Sequence, residues 1–406
     1  MWRSIDVSEK DGGVMRVSRL LFSLSFVFVL FSAAPAQAEI LAFVTYETRS
    51  EESLRALKLK IDLGPKENGV AVIDLDPAST NYGKILAEYP FPDGTSPHHQ
   101  YYNPDKTKLY VTATVKQIIH VLDLTRQPYR VKRIDAPGCD RIDSMAFSET
   151  GDTWWATCIR TSKILVGDGN ADKVVRVIDV GEAIPHGIAF RPEIDRLLVT
   201  DLGQPTVGWR DSMLEIEAST GRILASRKLS GSTLGHGSAP ALLRFSAKHD
   251  PPLAYITAML GGADKKGNLW IALWDKTSKR FEYEPVFDFR VTEGAIPLAL
   301  KFTRSEKRLL VASASPGFLH IFDVATDPLR PRILATLPAG IGAHHIAITP
   351  DDKMAFVQNG VLNAPGFSHG GITVFDLEKL SVIDTIDTFP DRNLTTFHIL
   401  LLPQWD

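Results

Sequence analysis

Six of the eleven histidines in this 406-residue chain stand at the openings of short apolar segments. The segments read HHQYYNPDKTKLYV from His98, HGIAFRPEIDRLLV from His186, HHIAITPDDKMAFV from His344 and FHILLLPQ from Phe397, so that His99, His345 and His398 complete the set. Chance placement would put fewer than one histidine at positions of this kind. Neutral imidazole is a donor for copper, zinc and iron alike. Three imidazoles converging on one point, with a further position open, make a catalytic metal site. Something in the fold must therefore bring separate segments together.

The four segments belong to a longer series. Further copies read DSMAFSETGDTWWA from Asp143, ALLRFSAKHDPPLAYI from Ala241 and LALKFTRSEKRLLV from Leu298. Each complete copy is an alternating strand, a polar turn and a second apolar strand, which together form a β-hairpin. A third strand follows, ending in an apolar–Asp step such as Asp74, Asp123, Asp323 or Asp376, and then a turn and a fourth strand. The Asp is read as a turn former that bonds nearby backbone N–H groups. Seven such repeats predict an all-β chain folded as a seven-bladed β-propeller. The last copy stops after its first strand, while residues 40–91 supply only three: ILAFVTY, GVAVIDLD and KILAEYPF. The seventh blade is thus predicted to combine N-terminal strands with the C-terminal one, which removes the free sheet edges.

In this topology every inner strand starts on one face of the disc, beside the central channel. Side chains alternate along a strand, which predicts two separate sets of residues. The second-position set is His99, Ser144, Gly187, Leu242, Ala299, His345 and His398. Its three histidines lie in blades 1, 6 and 7, consecutive around the ring, and are the expected metal ligands. The first-position set holds His98, Asp143, His186 and His344. His98 and His344 are read as catalytic, orienting ligands or shuttling protons, with His186 and Asp143 facing substrate across the channel. A metal-free polar pocket, or plain solvation of the axis, would use the same residues. Long connections between second and third strands share that face. They are NGVLNAPGFSHGG in blade 6, TRSEESLRALKLKIDLGPKENG in blade 7 and DLGQPTVGWRDS in blade 3. These are expected to form a lid, with Phe367 and His369 contacting substrate.

Composition narrows the classes. Lys and Arg total 45 against 48 Asp and Glu, with no basic block, so no nucleic-acid partner is expected. Two cysteines exclude a disulfide-stapled scaffold. Met15 precedes Arg16 and Arg19, the apolar run LLFSLSFVFVLFSA and the small-residue end PAQA. This is the pattern of an export signal over residues 1–38, with 1–14 an upstream extension and cleavage before Glu39. The expected mature protein, residues 39–406, is one propeller domain in the periplasm or secreted, with no membrane span. In that oxidising space Cys139 and Cys158, which flank one hairpin, are placed to form a disulfide. Asp168, Asn170 and Asp172 imitate a calcium loop, but Lys173 stands where that loop needs Gly, so they are read as a turn.

Several segments resemble the selenium-binding protein/methanethiol oxidase family of seven-bladed propellers. They are VAVIDLDPASTNYGKILAEYPFPDGTSPHH (70–99), IPLALKF with HIFDVATDPLRPRILATLPAG (296–340), APALLRF (239–245) and FHILLLP (397–403). The likeness is distant and colinear from about residue 39 to the end. It implies copper held at His98, His99 and His398, and oxidation of methanethiol with O2 to formaldehyde, hydrogen sulfide and hydrogen peroxide. The chain departs from the family near Asp140, where a further histidine is absent, and in LAFVTYETRS, which lacks the cysteine linked to selenium. HGIAFRPEIDRLLVTDLG also resembles YVTN-type and lactonase-type propellers. The expectation is a periplasmic copper-dependent oxidase of a small thiol, with zinc or iron as other metals and O2 as co-substrate. A non-enzymatic binding scaffold and a metal- or His-assisted lactonase are the alternatives.

Overall fold

Strands of five to ten residues, joined by tight turns, make up the computed structural model over the described residues, 40–61, 64–204, 208–229, 237–261 and 266–404. The export signal expected over 1–38 lies outside them. Among the described residues the strands form seven four-stranded antiparallel sheets. The chain is a seven-bladed β-propeller. Blade 1 starts with inner strand Pro97–Tyr102, blade 2 with Ile142–Phe147 and blade 3 with Pro185–Arg191. Blades 4, 5 and 6 start with Gly237–Phe245, Pro297–Phe302 and Ala343–Ile348. Blade 7 is the composite one: Leu394–Leu401 pairs antiparallel with Leu41–Thr48, which continues to Asn68–Asp74 and Ile85–Pro90. No helix among the described residues is long and apolar enough to cross a membrane.

Why second strands such as RLLVASA are apolar along their whole length follows from the packing. In blade 5, Leu309 and Val311 face blade 4, while Leu310 and Ala312 face blade 6. Period-2 alternation therefore buries both faces of one strand. Each seam between neighbouring blades carries its own apolar cluster, and blade 7 meets blade 1 through Phe43, Val70, Leu109 and Val111. The Asp residues of the apolar–Asp steps cap the turns as expected: Asp123 accepts from Thr125 N–H and Asp376 from Glu378 and Lys379 N–H. Asp172 takes up Lys108, Lys132 and the Tyr110 hydroxyl, an ion-pair role in place of the calcium-like pattern. Cys139 and Cys158 are bonded, stapling the approach to blade 2 onto its second strand.

Two of the expected lid loops differ from the sequence reading. The blade 3 segment is mostly sheet, because Arg196–Gln204 runs on to pair with Gly208–Glu217 as far as Gln204 opposite Gly208. The blade 7 connection contains a short helix, Glu51–Ala56, capped by Ser50, whose side chain accepts from Ser53 N–H. This connection is knitted to the blade 6 loop. Asn363 accepts from Ser50 N–H and donates to Glu47, and the buried Arg49 donates to the carbonyls of Ser368, His369 and Pro390.

Candidate metal centre

The register of each inner strand slips across the two positions that carry the histidines. It does so at 98–99, 143–144, 186–187, 241–242, 298–299 and 344–345, and opposite Thr45–Tyr46 in blade 7. A β-bulge re-aims side chains and leaves local backbone groups unpaired. A hydroxyl from the second strand takes up that backbone. Thr112 Oγ1 accepts from His99 N–H at 3.1 Å, and Thr157 and Thr200 do the same for Ser144 and Gly187. The device also joins blades: Thr45 donates to His98 O at 2.9 Å and Thr157 to His186 O at 2.7 Å. In blade 6 Gln358 fills the role, donating to Phe397 O at 2.7 Å.

The bulge overturns one expectation. Strict alternation would send His98 and His99 to opposite sides, yet their rings stack with centroids 3.8 Å apart, and those of His344 and His345 lie 4.0 Å apart. The two sets merge into one cluster. His345 lies 4.4 Å from His99 and 3.8 Å from His398, centroid to centroid. Donor atoms of His99, His344 and His345 lie within 4.8 Å of one another, as do those of His98, His99 and Asp143. Of the three expected ligands, His99 and His345 thus have ligand spacing with a third donor from His344, and His398 rests its ring against His345.

Asp143, fully buried, sits among three imidazoles. Its carboxylate oxygens lie 3.4 Å from His98 Nε2, 3.3 Å from His99 Nδ1 and 3.4 Å from His186 Nε2. Burial alone would push this carboxyl up, but the imidazoles of His186, His99 and His98 hold it well below the usual carboxylate range. The rings behave in the opposite sense. Burial pushes His344 down to about 3, and holds His99, His345 and His398 well below the ordinary histidine value, with neighbouring imidazoles adding to the shift. These rings are neutral at pH 7 and able to act as ligands. One nitrogen of each lacks a hydrogen-bond partner: Nε2 of His99 and His345, and Nδ1 of His98, His344 and His398. Buried polar atoms are seldom left so, and five in one cluster fit a bound transition metal.

The other site residues fall elsewhere. His186 directs Nδ1 at Ala241 O, 2.9 Å away, at the border between the imidazole half of the channel mouth and an apolar half. Leu202, Ala241, Met259 and Leu298 form that apolar half, and Phe367 packs on it. His369 is not in the cluster. Its Nδ1 accepts from Gly371 N–H and its carbonyl from Arg49. Sequence reading missed Tyr101, whose hydroxyl lies 3.1 Å from His99 Nδ1, and the threonines behind the bulges. An apolar–Thr step near the end of second strands, at Thr45, Thr112, Thr157, Thr200 and Thr257, was the available signal.

A hypothetical selenium-binding protein shares this fold. The chain superposes on the hypothetical selenium-binding protein of Sulfolobus tokodaii with a TM-score of 0.71 and 13% identity, over 90% of this chain and 94% of that one. A functionally unknown protein from Desulfotomaculum acetoxidans gives a TM-score of 0.63 at 12% identity, over 89% and 98%. Hydrazine synthase of Kuenenia stuttgartiensis gives 0.54 at 15%, over 71% and 78%. At the level of sequence, no protein-family profile and no curated protein matches the chain.

Proposed function

We propose that the protein is an exported, copper-dependent oxidase of a small thiol such as methanethiol, with the metal held by His99, His344 and His345. The observation carrying this reading is the set of three buried, neutral imidazoles whose donor atoms lie within 4.8 Å of one another. Imidazole donors alone suit copper, zinc and iron. Copper is chosen because of the likeness to selenium-binding-protein propellers. When bound, copper supplies Lewis acidity and one-electron chemistry toward O2. The overall conversion takes methanethiol, O2 and water to formaldehyde, hydrogen sulfide and hydrogen peroxide.

The chain's own residues supply binding and proton handling. Asp143, beside His99 Nδ1, favours the tautomer that leaves His99 Nε2 bare for the metal. His398, with Nδ1 unpartnered and its ring against His345, is the further donor. His98 Nδ1 is the acceptor for the thiol S–H proton, and Asp143 beside its Nε2 stabilises the imidazolium that results. Leu298 and Phe367, across the mouth, give an alkyl group a wall away from water.

Elemental analysis of the purified protein after copper supply tests the site, with O2 uptake on methanethiol as the second reading. Bound copper near one per chain and thiol-dependent O2 consumption are expected. A chain that retains no transition metal sinks the proposal, and one that retains only zinc sinks its oxidase part. Export is checked by N-terminal sequencing of the product made from the full chain: a start at Glu39 supports it, and an uncut cytoplasmic product overturns it.

A further inference from the structure

Between blade 7 and blade 1 lies a cavity of about 460 Å³ lined by segments around Glu47, Glu52, Asn68, Ser96, Val115 and Asn363. Its volume is that of a small-molecule site. Glu47 and Asn68 face each other across the strand pair Leu41–Thr48 and Asn68–Asp74. Asn68 is 7% exposed, its Nδ2 donates to Phe91 O, and its Oδ1 has no partner. A buried carbonyl oxygen left so is an acceptor waiting for a donor. Glu47 adds a carboxylate whose Oε1 is held by Asn363 Nδ2 at 2.9 Å. Burial raises the Glu47 carboxyl, while bonds from Asn363 and Ser96 and the nearby charge of the exposed Lys66 work against that rise.

Carboxylates outnumber cations in the lining, with Glu47, Glu51, Glu52 and Glu67 set against Arg49 and Lys66. The nearest buried cation, Arg49, is spent on the carbonyls of Ser368, His369 and Pro390. Glu52 adds a further carboxylate at the rim. Among the described residues, the groups of three carboxylate or imidazole donors close enough to hold a bare metal ion all lie in the histidine cluster. The unpartnered Asn68 Oδ1 and the Glu47 carboxylate are acceptors suited to N–H donors carried on an organic body, and Val115, 61% exposed, offers that body an apolar wall.

We infer that this cavity binds a small organic cation bearing a primary ammonium or guanidinium group, whose N–H groups donate to Asn68 Oδ1 and the Glu47 carboxylate. The site needs no metal and stands apart from the oxidase reading. Isothermal titration of the full-length protein with agmatine tests it, with tetramethylammonium, which has no N–H, and acetate as comparison ligands. Saturable agmatine binding is expected, about tenfold weaker in Glu47→Gln and in Asn68→Leu, with neither comparison ligand competing. Glu52→Gln, at the exposed rim, is the variant least able to disturb folding; it should weaken binding about twofold, and less at high salt. Absence of saturable agmatine binding overturns the inference, as does binding left unchanged in correctly folded Glu47→Gln, or displacement by acetate.

Discussion

His320 and His99 are both wholly buried, and they treat their nitrogens in opposite ways. His320, in the third strand of blade 5, has Nε2 2.9 Å from Ser313 Oγ and Nδ1 3.1 Å from Thr336 Oγ1. Its ring packs on Phe289, and burial takes it down to about 3. His99 shares Nδ1 with Asp143 and Tyr101 and leaves Nε2 with no partner. Burial is common to both regions and explains nothing about the difference. His120 shows that one orphaned nitrogen is not enough either, since it leaves Nε2 unpartnered while stacking on Phe91 at 3.9 Å. What separates the channel mouth from the blade walls is convergence: donor atoms of His99, His344 and His345 lie within 4.8 Å of one another, and each of these rings has a nitrogen without a partner.

The contrast is sharpest in substitution. His99→Ala should lower metal affinity by more than about 100-fold, beyond the 10–100-fold typical of losing an outer partner, as read by competition with a chromogenic chelator. His320→Leu should leave metal stoichiometry unchanged. It strands the hydroxyls of Ser313 and Thr336, at a cost of about 1–3 kcal/mol in urea unfolding. Equal metal loss in both variants would erase the distinction. Asp143→Asn comes next, with a loss of about 10–100-fold in affinity and an altered copper EPR spectrum, because the amide no longer fixes the His99 tautomer. An unchanged spectrum would reduce Asp143 to packing.

Acid should affect both regions in the same direction. Burial depresses these imidazoles, so below about pH 6.5 the unfolded chain takes up protons that the native chain refuses. Stability of the metal-free protein falls with pH from there down to about 3, where His344 and His320 themselves protonate. Asp143 acts lower. Its contribution is present above about pH 3.9 and is lost only as pH falls through its depressed native value. Urea midpoints measured from pH 7 to 4 check the slope, and bound copper should leave over the same range as protons compete for the ligands. The smallest effect is expected at the bulges. Thr112→Val removes a hydroxyl that accepts from His99 N–H and should cost about 1 kcal/mol, measured by the same unfolding curves.

The seven blades were legible because repetition is visible in a single sequence, and the composite blade followed from the truncated final copy. The positions of His98, His99, His344, His345 and His398 were legible for the same reason. Their mutual geometry was not. Alternation predicted two sets, and the register slip at 98–99 and 344–345 joined them, a backbone irregularity with no residue type of its own. The blade 3 loop was misread because Gly203, at φ +74, and the register shift beside it let the sheet continue through residues that look like turn formers. The contacts of Asn363 with Glu47 and Ser50 join residues at opposite ends of the chain, and no local pattern announces them.

The seam of blade 7 has a consequence for the order of assembly. Thr45 pairs with His398, so the ring shuts only when the strand at residues 394–401 has been synthesised and docks against one made near the start. Six blades can form from hairpins of neighbouring residues, whereas this step must close a loop that spans nearly the whole chain. His398 arrives with that step, and Gln358 donates to Phe397 O only once it is made. The histidine cluster is therefore completed last, so under the proposed function metal uptake would report that the ring has closed.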